Sequence, residues 1–535
     1  MYKVSLTESL FPAQTNEPIW QTTVGGKLRE VTARNPSAPA LVEVTVEGET
    51  ARRWSYGELL ADSEKLALAL STRFAPGEKV AVWAHNIPEW VMMEYACALA
   101  GLVLVTANPA FQPKELRYVL EQSGAVAIFR VKSFRGNPMA EICADAIAGL
   151  AAIREVVDLK DKEALYKNGD RPAVLPEVKP EDPAQIQYTS GTTGFPKGAV
   201  LAHGGLVNNA RFYAGRCGTT AETTWINPMP LFHTAGCGMV TLGSMQAGCR
   251  MILMAQFDPA VVLQMVQRER ANIILGVPTM ILALVEAQGQ SPVDCASMQL
   301  ISSGGAMVPP ELVRAATKAF GCPFSILYGQ TEYSPTITQH HSTDSFDDIC
   351  NTVGQPVDQT AVSIRRPSDN AVVPVGEVGE ICVRGPCTML GYHGNPQATA
   401  ETIDTDGWLH TGDLGTMDER GYVRVTGRVK EMIIRGGENF FPAEIENALL
   451  EHPSIAEIAV VGLPDEKWGE IIAAFYRTEG DVEVDVADLR SHCRAHLAPQ
   501  KTPAVWERVT EFPLTGSGKI QKFSLRDQYL ARQKA

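Results

Sequence analysis

The chain has no excess of positive charge: 47 Lys and Arg stand against 61 Asp and Glu, a net charge of −14. Nucleic-acid backbones select for basic surfaces, so this balance argues against a general nucleic-acid binder, though not against a local basic pocket for a nucleotide. It also lacks a long apolar run. The longest, near residues 95–105, falls short of the ~18 residues a membrane span needs, and Gly101 splits it. Eleven cysteines are scattered without a Cys-x-x-Cys pair, which points to free thiols in a reducing compartment. Ten histidines show no clustered ligand spacing, so a structural zinc site is not expected. The first residues have no basic lead followed by an apolar stretch, and the last are not a Ser-Lys-Leu type signal; the cytoplasm is the expected location. Internal repeats and low-complexity linkers are absent, and nothing in the sequence reports the oligomeric state.

What is present is enough for a large core. At 535 residues the chain exceeds one ordinary domain, and 45% hydrophobic with 20% charged residues describes a globular protein. Its most informative stretch is residues 188–200, Tyr-Thr-Ser-Gly-Thr-Thr-Gly-Phe-Pro-Lys-Gly-Ala-Val. Gly191 and Gly194 free the backbone so that N–H groups can converge on an anion. Thr189, Ser190, Thr192 and Thr193 add hydroxyl donors, and Lys197 adds a point charge behind Pro196. Residues 184–187 read as a short strand and a helical pattern begins at Leu206, the strand–turn–helix setting in which phosphate is commonly held. Lys197 follows a proline rather than the Gly of a Gly-Lys pair, so this is not a Walker A loop.

Along the chain, residues 20–50 read as a leader with a helix over 22–32, and Ser55 with Glu58 forms a capping box. Strands at 79–83, 102–106 and 126–129 alternate with helices at 88–100 and 113–122. The alternation resumes with strands at 224–227, 250–253, 273–276, 300–302 and 325–327. Short apolar runs spaced by helices predict βαβ units on parallel sheets buried on both faces. From about 353 to 426 short β-branched runs between Gly, Pro and Asp predict an antiparallel region, a small barrel. After Arg428 comes a compact α+β unit of about a hundred residues. The fold expected is α/β: residues 1–428 form two doubly wound α/β subdomains plus the antiparallel β-barrel, and residues 429–535 form a small mobile α+β domain.

The 188–200 stretch resembles the AMP-binding signature of the acyl-adenylate-forming superfamily, which includes acyl-CoA synthetases, peptide-synthetase adenylation domains and luciferases. Further pieces follow in that family's order: Pro-Leu-Phe-His-Thr-Ala at 230–235, Ser-Gly-Gly-Ala at 303–306, Tyr-Gly-Gln-Thr-Glu at 328–332 and Thr-Gly-Asp at 411–413. Gly-Arg-Val-Lys-Glu-Met-Ile-Ile-Arg-Gly-Gly-Glu-Asn at 427–439 and Pro-Leu-Thr-Gly-Ser-Gly-Lys at 513–519 complete the set. Together they span roughly residues 50–526, and their wording is similar to medium-chain fatty acyl-CoA synthetases.

The resemblance implies a two-step AMP-forming ligase with ATP, Mg2+ and coenzyme A. A carboxylate attacks the α-phosphorus, pyrophosphate leaves, and CoA then takes the acyl group. Two anions must meet, so cations and oriented donors are required. By resemblance, Thr331 contacts the α-phosphate, and Glu332 with Thr189 holds Mg2+, a hard cation suited to oxygen ligands. Tyr328 is the adenine stacking partner, Gly304, Gly305 and Ala306 run along the base with Gly329 nearby, and Asp413 with Arg428 clamps the ribose. Lys519 sits between the acyl carboxylate and the α-phosphate. His233 is a hydrogen-bonded core histidine or a wall of the acyl and pantetheine passage. Lys430 falls at the family's hinge, about which Gly436, Gly437 and the Trp468–Glu470 segment swing toward the cleft.

The acyl pocket is expected from residues 233–239, 277–280, 304–307 and 333–338. These are small or apolar with no cation for a second acid group, which favours an uncharged hydrophobic acid. Chain length, branching and aromaticity stay open. The alternatives are an aromatic or other carboxylic acid–CoA ligase, or a stand-alone adenylation enzyme loading a carrier protein in trans. A non-catalytic member would need to lack Lys519, Glu332 or Asp413, and all are present.

Overall fold

A computed structural model describes residues 1–189, 196–435, 438–478, 484–513 and 520–534. Ser190, Gly191, Thr192, Thr193, Gly194, Gly436, Gly437 and Lys519 therefore lie outside the described residues.

Apolar runs of four or five residues form the parallel core of a seven-stranded sheet: Lys79–Trp83, Val103–Thr106, Ala127–Arg130 and Glu155–Asp158, joined by Pro183–Thr189. The helix Pro88–Ala100 starts on its proline, stops at Gly101 in the left-handed region (φ 64°), and buries every residue. A nine-stranded sheet has the same logic. Leu300–Gly304 lies between Ile273–Gly276 and Phe324–Gly329, all parallel. The Thr224–Asn227 and Arg250–Met254 strands continue it. Both sheets are mixed: antiparallel strands lie at both edges of the nine-stranded sheet and at one edge of the seven-stranded sheet. The Ser55–Glu58 capping box forms as expected.

Three readings are corrected. The leader holds more than its helix: Pro39–Val44 and, after it, Thr50–Ser55 are the last two strands of the nine-stranded sheet. The glycine-rich stretch does not join strand to helix. It joins two antiparallel strands, Pro183–Thr189 and Lys197–Ala202, and the helix His203–Arg216 follows only afterwards. The β-rich region is a five-stranded antiparallel sheet, ordered Leu10–Phe11, Ala361–Arg365, Gly379–Arg384, Leu409–Met417 and Val423–Arg428. Its path is open, and its first strand comes from the N-terminus.

A fourth sheet begins at Ile433–Arg435 and is built on the long hairpin Ile455–Asp465 and Gly469–Thr478, with Val505–Arg508 parallel to the latter. Helices Pro442–Leu450, Val486–His496 and Lys522–Lys534 accompany it. The result is α/β with mixed sheets, a large N-terminal part and a smaller α+β C-terminal part. Among the described residues, no helix is long and apolar enough to cross a membrane.

Candidate active site

The parallel strands Leu300–Gly304 and Phe324–Gly329 end side by side, with Gly304 opposite Leu327. Ligands of such sheets bind beyond these carboxyl ends. Two of the expected glycines are required by the fold itself. A Cβ on Gly304 would stand 2.5 Å from the Leu327 carbonyl oxygen, and one on Gly329 would stand 2.0 Å from that of Pro335. Gly305 differs: it is exposed at φ 77°, and its nearest neighbour is Val277 at 4.0 Å. Ala306 is exposed beside it.

Asp413 joins this strand end to the five-stranded sheet. It lies opposite Arg428 on adjacent strands, with Arg428 Nε 3.1 Å from its Oδ1. The Tyr328 hydroxyl donates to its Oδ2 at 2.8 Å. Burial of that hydroxyl and the Asp413 charge push its pKa well above the ordinary phenol value, so it stays a neutral donor. Two carboxylate oxygens can accept about four hydrogen bonds, and such an acceptor pair suits the hydroxyls of a sugar.

Thr331 and Glu332 follow on the short 3-10 turn Thr331–Tyr333. Glu332 is buried, and its Oε1 accepts from the Tyr392 hydroxyl at 2.7 Å. Tyr392 belongs to the edge strand that pairs with Lys197–Ala202. Lys197 Nζ stands 4.1 Å over its ring, and Lys197 faces Thr189 across the hairpin. The Thr189 hydroxyl lies 3.4 Å from the Lys197 carbonyl oxygen. One run of contacts thus links Thr189, Lys197, Tyr392 and Glu332. Among the described residues no Lys or Arg lies within ion-pair distance of Glu332. A buried carboxylate linked through Tyr392 and Lys197 to a threonine hydroxyl offers oxygen donors of the kind a hard cation takes. Tyr392 carried no signal in the sequence beyond a Gly-Tyr pair, because its partner is 60 residues away.

His233 is exposed, which excludes the core reading. Its Nδ1 accepts from the Ala235 amide at 3.1 Å, and Asn86 pins the turn before it through Met229 and Leu231. The π-helical segment Ala235–Leu242 that follows is buried throughout. Such segments recur at functional sites. Two of the segments expected at the pocket are neighbours: a Cβ built on Gly305 would stand 4.0 Å from Val277. Residues 333–338 do not: Tyr333 is fully buried with its hydroxyl on Thr360, and Thr338 donates to the Val353 carbonyl. That segment is core, because Thr336–Gln339 is a strand of the nine-stranded sheet.

Lys430 is exposed in the single turn Val429–Glu431 between the third and fourth sheets. The loop of Lys519 lies outside the described residues, but its base does not. The Gln521 amide donates to the Pro513 carbonyl at 2.7 Å, and Lys522 is 2.8 Å from both Glu431 and Glu446. The Trp468–Glu470 segment sits beside the strand Ile433–Arg435, since Gly469 pairs with Arg435.

The profile of the AMP-binding enzyme family matches residues 28–393, and that of the AMP-binding enzyme C-terminal domain matches residues 444–519. The chain is 34% identical over 536 residues to the putative acyl-CoA synthetase YngI of Bacillus subtilis, covering 95% of this chain and 97% of that one. It is 34% identical over 548 residues to the human mitochondrial medium-chain acyl-CoA ligase ACSF2, covering 96% of this chain and 88% of the relative. Its fold is similar to the O-succinylbenzoate coenzyme A synthetase MenE of Bacillus subtilis in complex with ATP and magnesium, with a TM-score of 0.82 at 28% identity. That alignment covers 95% of this chain and all of the other. The chain therefore belongs to the AMP-binding enzyme family, in its acyl-CoA synthetase branch, as an AMP-forming acid–CoA ligase.

Proposed function

We propose that the protein activates a medium-chain fatty acid or another uncharged hydrophobic acid at the junction of its first three sheets, and passes the acyl group to CoA. The observation that carries the site is the convergence on Asp413: Tyr328 from one sheet and Arg428 from another hold one carboxylate at the parallel strand ends. Tyr328 offers the adenine face and Asp413 takes the ribose hydroxyls. Lys197, Thr189 and the loop from Ser190 to Gly194 receive the phosphates, with Thr331 at the α-phosphorus. Thr189 and Glu332 would hold Mg2+, which when bound neutralises phosphate charge. Residues 1–428 and 429–535 act as two units joined at Lys430, and the second brings Lys519 to the reacting atoms. The carboxylate oxygen bonds to the α-phosphorus as the bond to pyrophosphate breaks. The CoA thiol then loses its proton and attacks the acyl carbon, and AMP leaves. His233 borders the acyl and thiol passage. The free cysteines, all but Cys350 buried, fit a reducing compartment, and the cytoplasm is the proposed location.

Two expected outcomes follow from this assignment. An acid series tests the apolar wall. Each buried methylene is worth about 0.8 kcal/mol, so octanoate should exceed acetate in kcat/KM by about a hundredfold or more. Acetate or a dicarboxylate as the best substrate would sink the pocket reading. Tyr392→Phe keeps the ring under Lys197 but removes the hydroxyl that holds Glu332. Losing such a supporting hydrogen bond should weaken the metal about tenfold, read from Mn2+ titration by EPR and from the Mg2+ dependence of the rate. Unchanged metal affinity would remove Glu332 from the metal's surroundings.

A further inference from the structure

Asp413 is aimed by a second group of side chains on the same sheet. The stretch of strand before it, Thr411–Gly412, lies at a register shift and is held from the neighbouring strand. Glu380 Oε1 accepts from the Gly412 amide at 2.9 Å, and Thr411 Oγ1 donates to the Ile381 carbonyl at 2.7 Å while accepting from the Asp413 amide at 3.1 Å. Gly412 adopts φ 73°, so the chain reaches Asp413 through a sharp bend whose shape depends on these bonds. The other oxygen of Glu380 is 2.8 Å from His410 Nδ1, and His410 Nε2 is 3.5 Å from Asp404. The Cys382 thiol completes the surroundings at 3.4 Å from Nδ1. Arg365 lies opposite Glu380 on the next strand, close to Cys382. One imidazole thus stands between two carboxylates, and one of these carboxylates grips the stretch that carries Asp413.

We infer that Glu380 and His410 form a positioning unit for Asp413, so that the grip on the ribose depends on the charge of His410. The inference rests on Asp413 taking the ribose hydroxyls. The Glu380 hydrogen bond, opposed by burial and assisted by Asp404, raises the His410 pKa above the ordinary imidazole value. Burial keeps the Cys382 thiol neutral. The sign is that of a cation gaining partners: the His410–carboxylate pairing is complete below the ordinary imidazole value and is lost as pH rises through the elevated one. Neutral His410 has one N–H for two carboxylates, so one contact becomes a lone pair facing an anion, and the frame around Gly412 loosens.

The test is the ratio of kcat/KM for ATP to that for 2′-deoxy-ATP and 3′-deoxy-ATP across pH, because phosphate ionisation cancels in the ratio. Wild type should discriminate against the deoxy nucleotides, less so as pH rises past the His410 transition. Glu380→Ala should bring the ratio about tenfold nearer to one at every pH, with kcat falling less than KM rises. Glu380→Gln is the decisive variant. Its carbonyl can still accept from Gly412, but its amide donates to neutral rather than protonated Nδ1, so discrimination should recover at high pH and fail at low pH. If both variants lower kcat/KM for all three nucleotides equally, leaving the ratio and its pH profile as in wild type, the positioning role is overturned. A wild-type ratio of one at all pH would instead remove the ribose from Asp413.

Discussion

Replacing Lys519 by alanine is expected to abolish acyl-AMP formation while leaving thioester formation from supplied acyl-AMP nearly intact. The first half-reaction brings a carboxylate against a polyphosphate. Charge that develops as two anions approach must be met by a cation already in place, and removing one such preorganised group typically costs ~10²–10³ in rate. The second half-reaction has no such encounter, because acyl-AMP is attacked at carbon by a thiol. The residues that flank the Lys519 segment are fixed. Gln521 closes onto Pro513, and Lys522 lies half-buried between Glu431 and Glu446. The two acidic partners outweigh burial and raise the Lys522 pKa, so it stays charged and the base of the loop stays tied to the C-terminal sheet and its helices. Pyrophosphate release and acyl-AMP consumption, measured separately, check the split. Equal impairment of both would place Lys519 outside the charge-neutralising role.

A Lys430→Pro enzyme is expected to slow thioester formation at least about tenfold more than pyrophosphate release. In the proposed function Lys519 stands beside the α-phosphate in one step and away from it in the next, which a rigid molecule cannot serve. The pairings on either side of Lys430 say where a boundary can fall. Arg428 is bound to Asp413 in the N-terminal part. Glu431, three residues later, is bound to Lys522 in the C-terminal part. Only Val429 and the exposed Lys430 lie between, in one 3-10 turn. Hinges are such boundary residues, which absorb a change in backbone angles. Proline fixes φ near −65° and restricts the residue before it as well, so the turn would lose its alternatives. Rotation about this point would carry the strand Ile433–Arg435 and the Trp468–Glu470 segment toward the cleft. A variant that makes acyl-CoA from acyl-AMP at the parent rate would refute the hinge.

Much of this was legible in the sequence where the signal was local. The strand over 79–83 and the helix over 88–100 carry their own punctuation, an apolar run, a proline start and a glycine stop, and both form with those bounds. Tyr328, Glu332 and Asp413 stood out as candidates because they sit in short motifs, and the structure brings Tyr328 and Asp413 into contact. What escaped depends on partners distant in the chain. The Pro39–Val44 strand has too little pattern to announce that it pairs with Arg250–Met254. The Lys197–Ala202 strand was hidden because its alternation is short and runs straight into a helix. Tyr392, Glu380 and His410 gain their meaning only when separate strands are laid side by side. The pocket expectation failed at residues 333–338 for a related reason: small and β-branched residues line cavities and pack strands equally well.

The most direct test of the account follows the oxygen of the acid. Octanoate labelled with 18O in its carboxylate is incubated with the protein, ATP, Mg2+ and CoA, and the products are analysed by mass spectrometry. Attack of the carboxylate on the α-phosphorus and departure of AMP from the acyl carbon predict octanoyl-CoA, unlabelled pyrophosphate, and AMP carrying one 18O atom. Label in inorganic phosphate with ADP as co-product, or octanoyl-CoA formed with unlabelled AMP, would contradict adenylation at this site.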